Sequence, residues 1–294
     1  MRGRFTALVL LAATAGLASC GSQVQHHKVR SESSQVIQQR PPGLFGSLHW
    51  LVAASSLTKI ASVAGQNYVQ RYFDSSNSTV IVPGVIPKEF EGWKGGVAVD
   101  VRSLASFSSL STTGGGYRYV LFDPEHWSYT PLVEQANPLS TADAASAKAQ
   151  ALGLSVISAP AVDLAKVLAP GADIWSGYLS SGVVAAYAKY SSAIDIQAQG
   201  LEGRKSAYVS FVYRAAAEAR RANPNVLVYA GISTNPSGQR VSATTIVRDI
   251  EATKKVVFGY WLNVPSGGGA CPRCGVAQPQ VAVSVVDRLA RLGG

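Results

Sequence analysis

From about residue 44 onward the chain alternates between two kinds of pattern. Short runs rich in β-branched and aromatic residues read as strands: Thr79–Val82, Tyr117–Asp123, Leu154–Ala159, Ala193–Gln199, Val226–Ser233 and Val256–Asn263, with His49–Ala53 a weaker seventh. Between them lie helical stretches. Ser140–Leu152 has an Ala-rich core of high helix propensity, with Gly153 at its stop. Arg204–Ala222 ends at Asn223-Pro224, which halts a helix. Ser242–Lys255 opens on Ser and Thr cap candidates and closes on two Lys, matching the helix dipole. Gln280–Leu292 is the last helix.

Strand–helix–strand alternation with crossovers of this length implies parallel strands joined in right-handed βαβ units. Six or seven strands over roughly 250 residues fit a (β/α)8 barrel, or TIM barrel, whose length is typically about 250 residues. A doubly wound open sheet is the competing arrangement. However, no Gly-x-Gly-x-x-Gly follows the first strand, and no shift in composition splits the chain into two lobes. Residues 83–116 carry the weakest pattern, broken by Pro83, Pro87 and Gly114-Gly115-Gly116.

The first forty residues lack the alternation. Met1-Arg-Gly-Arg4 is a basic start, and Phe5–Leu17 is an uncharged apolar run of 13 residues. A membrane-spanning helix needs roughly 20, so this run reads as the apolar region of a signal peptide. Leu17-Ala18-Ser19-Cys20 follows directly and resembles the lipobox of bacterial lipoproteins. The resemblance implies that residues 1–19 are removed and that Cys20, acylated with palmitate-type chains, becomes the mature N-terminus. Two acyl chains anchor stably where one is marginal, so the chain is expected on the outer side of the cytoplasmic membrane. A secretory signal with a chance Cys at its cleavage site is the alternative, and both readings export the protein. Residues 20–43 form a polar tether that ends at Pro41-Pro42-Gly43 and includes the solvated pair His26-His27. Residues 44–294 are then a single barrel domain.

Composition agrees with a packed domain. Apolar residues make up 47% and charged residues only 15%, against a usual charged share of about 25%. A chain of this kind buries enough apolar surface to offset its entropy and is not disordered. The net charge of +9, or +7 once Arg2 and Arg4 leave with the signal, is spread along the chain. Without basic runs or basic-aromatic interleaving, nucleic acid is not the expected partner.

Polar residues at the C-terminal ends of barrel strands are out of place in an apolar core and stand where barrel enzymes build their sites. Asp123-Pro-Glu125-His126-Trp127 ends one such strand. Asp123 and Glu125 are two apart, hence on one side of an extended chain. A carboxyl desolvated by Trp127 and repelled by a second carboxylate keeps its proton at higher pH, as a general acid must. A solvated loop capped by Asp123 is the ordinary alternative. In Ala193-Ile-Asp195-Ile-Gln197-Ala-Gln199, three polar groups share one face and require partners if that face is buried. Asp195 is the candidate second carboxylate and Gln197 and Gln199 the hydrogen-bonding pair. Tyr229, Trp261 and Asn263, together with Ser158 and Ser233, occupy other strand ends; Trp127, Tyr229 and Trp261 would line a cleft.

The Asp-x-Glu strand ending, the aromatic strand ends and the final-strand Trp261 loosely resemble family 18 glycoside hydrolases and related barrels. In that family the motif runs Asp-x-x-Asp-x-Asp-x-Glu, the Glu being the acid and the substrate's acetamido group the nucleophile. Only Asp123 and Glu125 match; the two earlier Asp positions hold Arg118 and Leu121. The resemblance implies a glycosidase-like barrel with Glu125 as acid and a carbohydrate as substrate or ligand. Two readings follow: a surface-anchored hydrolase of an envelope or extracellular glycan, or a lipoprotein that binds a glycan or solute without cutting it.

Other motifs carry less. Cys271-Pro-Arg-Cys274 lies in a Gly-rich loop after Gly267-Gly268-Gly269, with no second pair to complete a zinc site, and reads as a disulfide in an oxidising compartment, with a redox site the alternative. Ser56-Leu-Thr-Lys59 has the spacing of a serine-lysine pair but no Lys-Thr-Gly partner and reads as chance. Outside the tether only His49 and His126 remain, too few for a metal set or a serine triad. No cofactor is expected.

Overall fold

The computed structural model describes residues 41–110, 116–268 and 271–293. The signal-peptide, Cys20 and His26-His27 readings lie outside the described residues, as do Gly114, Gly115 and Gly269. Eight parallel strands close a barrel in sequence order: β1 (His49–Ala53), β2 (Ser78–Val82), β3 (Val97–Val101), β4 (Tyr119–Phe122), β5 (Ser155–Ser158), β6 (Ala193–Ile196), β7 (Leu227–Ser233) and β8 (Gly259–Asn263). This is the (β/α)8 barrel that the alternation implies. It closes where His49 pairs with Gly259 and Trp50 with Tyr260. Gly259 is required there, because a Cβ would collide with the His49 carbonyl oxygen.

The strand count is eight rather than six or seven. The strand without an expectation is β3, within the poorly patterned stretch, and the weak candidate His49–Ala53 is a full strand pairing on both sides. The strand expected over Ala193–Gln199 stops at Ile196, and Gln199–Leu201 forms a 3-10 turn. Asp123 lies one residue past β4, yet its N–H still donates to the Val101 carbonyl at 2.9 Å, so the ladder holds the carboxylate in place.

Alternation along the strands sorts side chains into two cores. Leu51, Ile81, Ala98, Leu121, Ile157, Ala193 and Tyr229 fill the barrel. Their neighbours Val52, Val80, Val99, Val120, Ile194, Val228 and Leu262 point outward into the larger core beneath the helices. The chain enters through α1 (Gly43–Ser47), whose Phe45 stacks on Trp50 with ring centroids 4.6 Å apart. Helices α2 (Ala54–Ala64) and α3 (Gln66–Tyr72) join β1 to β2. The β4–β5 connection holds α4 (Leu132–Ala136) and α5 (Pro138–Ala151), and β5–β6 holds α6 (Ala165–Leu168), α7 (Ile174–Ser180) and α8 (Val183–Lys189). Single helices α9 (Lys205–Ala222), α10 (Ala243–Thr253) and α11 (Pro279–Arg291) complete the ring.

On α9, Tyr208, Phe211, Val212, Ala215, Ala216 and Ala219 are buried, the three- and four-residue spacing of one helical face. Ser242 caps α10, its Oγ accepting from the Thr245 N–H at 3.2 Å, a bond of the kind worth about 1 kcal/mol. Between β2 and β3 and between β3 and β4 the described residues form only 3-10 turns, Lys88–Phe90 and Leu104–Ser109. Phe90, Trp93 and Phe107 join the outer core there in place of helices. No described helix is long and apolar enough to cross a membrane.

Candidate active site

Apart from Asp195, the inward faces of the strands are mainly apolar below a C-terminal mouth that turns polar. A cavity of about 470 Å³ opens there. Asp123, Glu125, Trp127, Gln197, Gln199, Trp261 and Asn263 all line it, so the structure brings together side chains from β4, β6 and β8 that the sequence separates by up to 140 residues. Asp100 and Arg102, at the end of β3, line it as well. A larger cavity of about 970 Å³ lies beside it, over the outward-facing Val97, Val99 and Val101, and meets the mouth at Pro83, Asp100 and Arg102. The mouth, where the carboxylates converge, is the better setting for chemistry.

Glu125 and Trp127 sit on a loop held from several sides. Thr130 is its pivot: its Oγ1 accepts from the Glu125 N–H at 3.3 Å and from Trp127 Nε1 at 3.0 Å, and donates to the Arg102 carbonyl at 2.7 Å. Buried Gln135 donates to the Thr130 and Trp127 carbonyls at 2.6 and 3.2 Å. His126 turns away from the mouth, its Nδ1 2.8 Å from Gln135 Oε1 and its N–H donating to Asp163 at 2.9 Å. Arg102 grips Asp100 through Nε and Nη2, both 3.0 Å from Oδ2, while its guanidinium lies over the rings of Trp127 and Tyr129, 4.9 and 5.3 Å from their centroids. A loop so tied presents Glu125 with little freedom to be lost on binding, which is what preorganisation means.

Three carboxyls therefore share the mouth with one guanidinium. Burial and the neighbouring Glu125 and Asp100 hold the Asp123 carboxyl well above the usual carboxylate range. Burial, Asp163 and Asp100 push Glu125 up to about 7, against the pull of Arg102. Asp100 is raised by burial and restrained by Arg102. A carboxyl that titrates near 7 inside a cavity can both give and take a proton at neutral pH.

Asp195 and Tyr229 do not reach the mouth. They pair in register one layer deeper, with Asp195 fully buried and Tyr229 packed among the barrel-filling residues. Both Asp195 oxygens lack a hydrogen-bond partner, and burial pushes its carboxyl up to about 8, so it stays protonated and neutral through most of the physiological range. The single face expected for Asp195, Gln197 and Gln199 breaks where β6 ends at Ile196: Asp195 stays inside the barrel, while Gln197 and Gln199 meet the cavity from the turn beyond the strand. Ser158 and Ser233 are buried elsewhere: Ser158 bonds Ser191 at 2.6 Å, and the Ser233 N–H donates to Glu202.

The β8 side of the mouth is closed by the loop that follows Asn263. Cys271 and Cys274 are joined in a disulfide, their Cα atoms 5.4 Å apart, and Cys271 lines the cavity. Buried Asn235 anchors this loop, its Nδ2 lying 2.8 Å from the Cys274 carbonyl and 3.3 Å from those of Pro265 and Val276. Ser56 and Lys59, a chance pairing on sequence grounds, together clamp Val264: Ser56 Oγ accepts its N–H at 3.1 Å and Lys59 Nζ donates to its carbonyl at 2.8 Å. Among the described residues no group of His, Cys, Asp and Glu could hold a metal ion.

Sequence reasoning missed Asp100, Arg102 and Lys59. The first two end the strand Val97-Ala-Val-Asp-Val101, whose period-two valines were a usable signal. No family model matches the chain, and neither does any curated protein. Similar solved structures include the carboxyl transferase domain of Rhizobium etli pyruvate carboxylase, with a TM-score of 0.45 and 10% identity over 84% of this chain. The chain spans about half that domain's length, 49%. A GH18 chitinase from Pseudoalteromonas aurantia has a TM-score of 0.34 and 12% identity, covering 58% of this chain and 68% of its own. A psychrophilic glycoside hydrolase family 10 endo-β-1,4-xylanase has a TM-score of 0.30 and 10% identity, covering 74% of this chain and 64% of its own.

Proposed function

We propose that the protein is a glycoside-hydrolase-like barrel that acts on an envelope or extracellular carbohydrate, with Glu125 as the general acid. The observation that carries this reading is a cavity-facing Glu125 titrating at about 7 on a loop fixed by Thr130 and Arg102. Glu125 gives its proton to the leaving-group oxygen. Asp123, held by Gln197, orients a substrate hydroxyl, and Gln199 in the turn after β6 and Asn263 at the end of β8 offer further hydrogen bonds. Trp127 and Trp261 supply the flat apolar faces on which sugar rings pack. A conventional mechanism requires a second carboxylate near the scissile bond. Asp100 on β3 lines the cavity and takes that place in the proposal, whereas Asp195 lies beneath it.

The sequence Met1–Cys20 supports export, and Leu17-Ala18-Ser19-Cys20 supports a lipid anchor at Cys20 on the outer side of the cytoplasmic membrane. The test is reducing-end release by the purified full chain from chitin, peptidoglycan, glucan and mannan, beside its Glu125→Gln variant. Release by the parent that disappears in the variant supports the hydrolase. Retention of one glycan by both proteins, with release by neither, favours the binding protein.

A further inference from the structure

The mouth is electrically two-sided. Its carboxyls, Asp100, Asp123 and Glu125, stand on the β3–β4 side. Lys59, on α2 and therefore just after β1, lines the other side together with Trp261 and Asn263 of β8. Among the described residues no carboxylate pairs with Lys59; its Nζ donates only to the Val264 carbonyl, which leaves two of its three N–H donors unspent. The Trp261 indole Nε1 is buried and has no acceptor. The first turn of α2 opens on the same side, where Ala53 and Ser55 line the cavity and no side chain caps the helix. Ser55 and Lys59 are four residues apart, on one face of that helix. Lys59 and Trp261 thus each hold N–H donors on this side that no protein acceptor takes up.

We propose that the β8–β1 side of the mouth is an oxyanion-recognising subsite with Lys59 as its charged contact, and that the glycan seated there carries a carboxylate or phosphate group. The inference rests on the glycan reading and specifies the class of sugar. A carboxylate or phosphate would take up the two free Lys59 donors in charge-assisted hydrogen bonds, stronger than those the ammonium makes to neutral acceptors. Burial lowers the Lys59 ammonium from its ordinary value, and a bound anion restores it. The acidic side tolerates such a ligand because Arg102 neutralises Asp100 and because Asp123 and Glu125 retain protons near neutral pH.

The test compares matched oligosaccharides of equal length: an oligogalacturonide against its neutral galactose counterpart, and a phosphorylated oligomannoside against the unmodified one. Affinities for the full chain are measured at low and high salt. At least tenfold tighter binding of one charged member is expected, weakening as salt rises, and the member preferred says whether carboxylate or phosphate is the natural group. The preference should collapse in Lys59→Met and persist in Lys59→Arg, which keeps both the charge and a donor to Val264. Equal affinity for charged and neutral members overturns the subsite and leaves the glycan reading intact. An unchanged preference in a folded Lys59→Met also overturns it, and the parent's salt dependence decides the matter if that variant does not fold. Binding to none of the four overturns the subsite as drawn, while the glycan reading stands or falls by release or retention on the chitin, peptidoglycan, glucan and mannan panel.

Discussion

Gln197 on the β6 side of the barrel reaches Asp123 at the end of β4, its Nε2 3.0 Å from Oδ1. The same nitrogen lies 2.8 Å from the Ala159 carbonyl at the end of β5, so both its N–H groups are committed. One amide therefore joins three strand ends and fixes Asp123, while Glu125, two residues on, has no hydrogen bond to its carboxylate among the described residues. The two acids of the Asp-x-Glu ending are thereby separated in role. Asp123 is built into the wall, and Glu125 is left free to meet a ligand.

Thr130→Val tests the loop. The substitution keeps the shape but removes an acceptor from Glu125 N–H and Trp127 Nε1 and a donor to Arg102. Leaving such groups unpartnered costs about 1–3 kcal/mol of stability, and turnover should fall at least tenfold as Glu125 loses its fixed position. Thr130→Ser should recover most of both. Equal turnover in the valine variant would show that the pivot does not position the acid.

Gly231→Ala tests Gln199. A Cβ at Gly231 would collide with Gln199 Oε1, the far end of a flexible side chain. The expected result is a melting temperature close to that of the parent with glycan affinity reduced severalfold, because Gln199 must move within the mouth it lines. Calorimetric melting and ligand titration on the same samples separate the two effects; unchanged affinity would remove Gln199 from the site.

Asp195 gives a pH dependence with a definite sign. Its carboxyl titrates at about 8 when folded and near 4 when unfolded. Between those values the folded chain holds a proton that the unfolded chain has lost, so the contribution falls as pH rises through the window and its cost is complete above about 8. Asp195→Asn cannot ionise. Its melting temperature relative to the parent should therefore climb from pH 5 to about pH 8 and level off above it, by an amount equivalent to a few kcal/mol at most. A gap that stays constant across that range would mean that Asp195 does not titrate there.

Cys20→Ser tests the anchor. Labelled palmitate should enter the parent expressed in a bacterial host and not the variant, which should leave the membrane fraction. Labelling in both would assign the acyl group elsewhere.

The barrel was legible because strand and helix periodicities survive in the sequence and alternate at the right lengths. β3 was not, for a physical reason: among the described residues the connections on both sides of it form only 3-10 turns, and the sequence there is broken by Gly and Pro, so no described helix frames Val97–Val101. Asp100 and Arg102 were lost with it. The period of two fails beyond Ile196, where β6 gives way to a turn that carries Gln197 and Gln199, and depth along a barrel depends on strand stagger, which only the closed sheet fixes. Hence Asp195 lies below the site and Gln197 within it. Lys59 looked like chance because its partner, Val264, stands 205 residues away.

Whether this mouth holds a general acid is decided by the titration of Glu125 itself, followed by carboxyl carbon NMR with the Glu125→Gln variant assigning the resonance. A midpoint near 7, moving upward in Arg102→Gln as the neighbouring positive charge is lost, is the predicted result. A midpoint at the ordinary glutamate value, indifferent to Arg102, would contradict a general acid at this mouth.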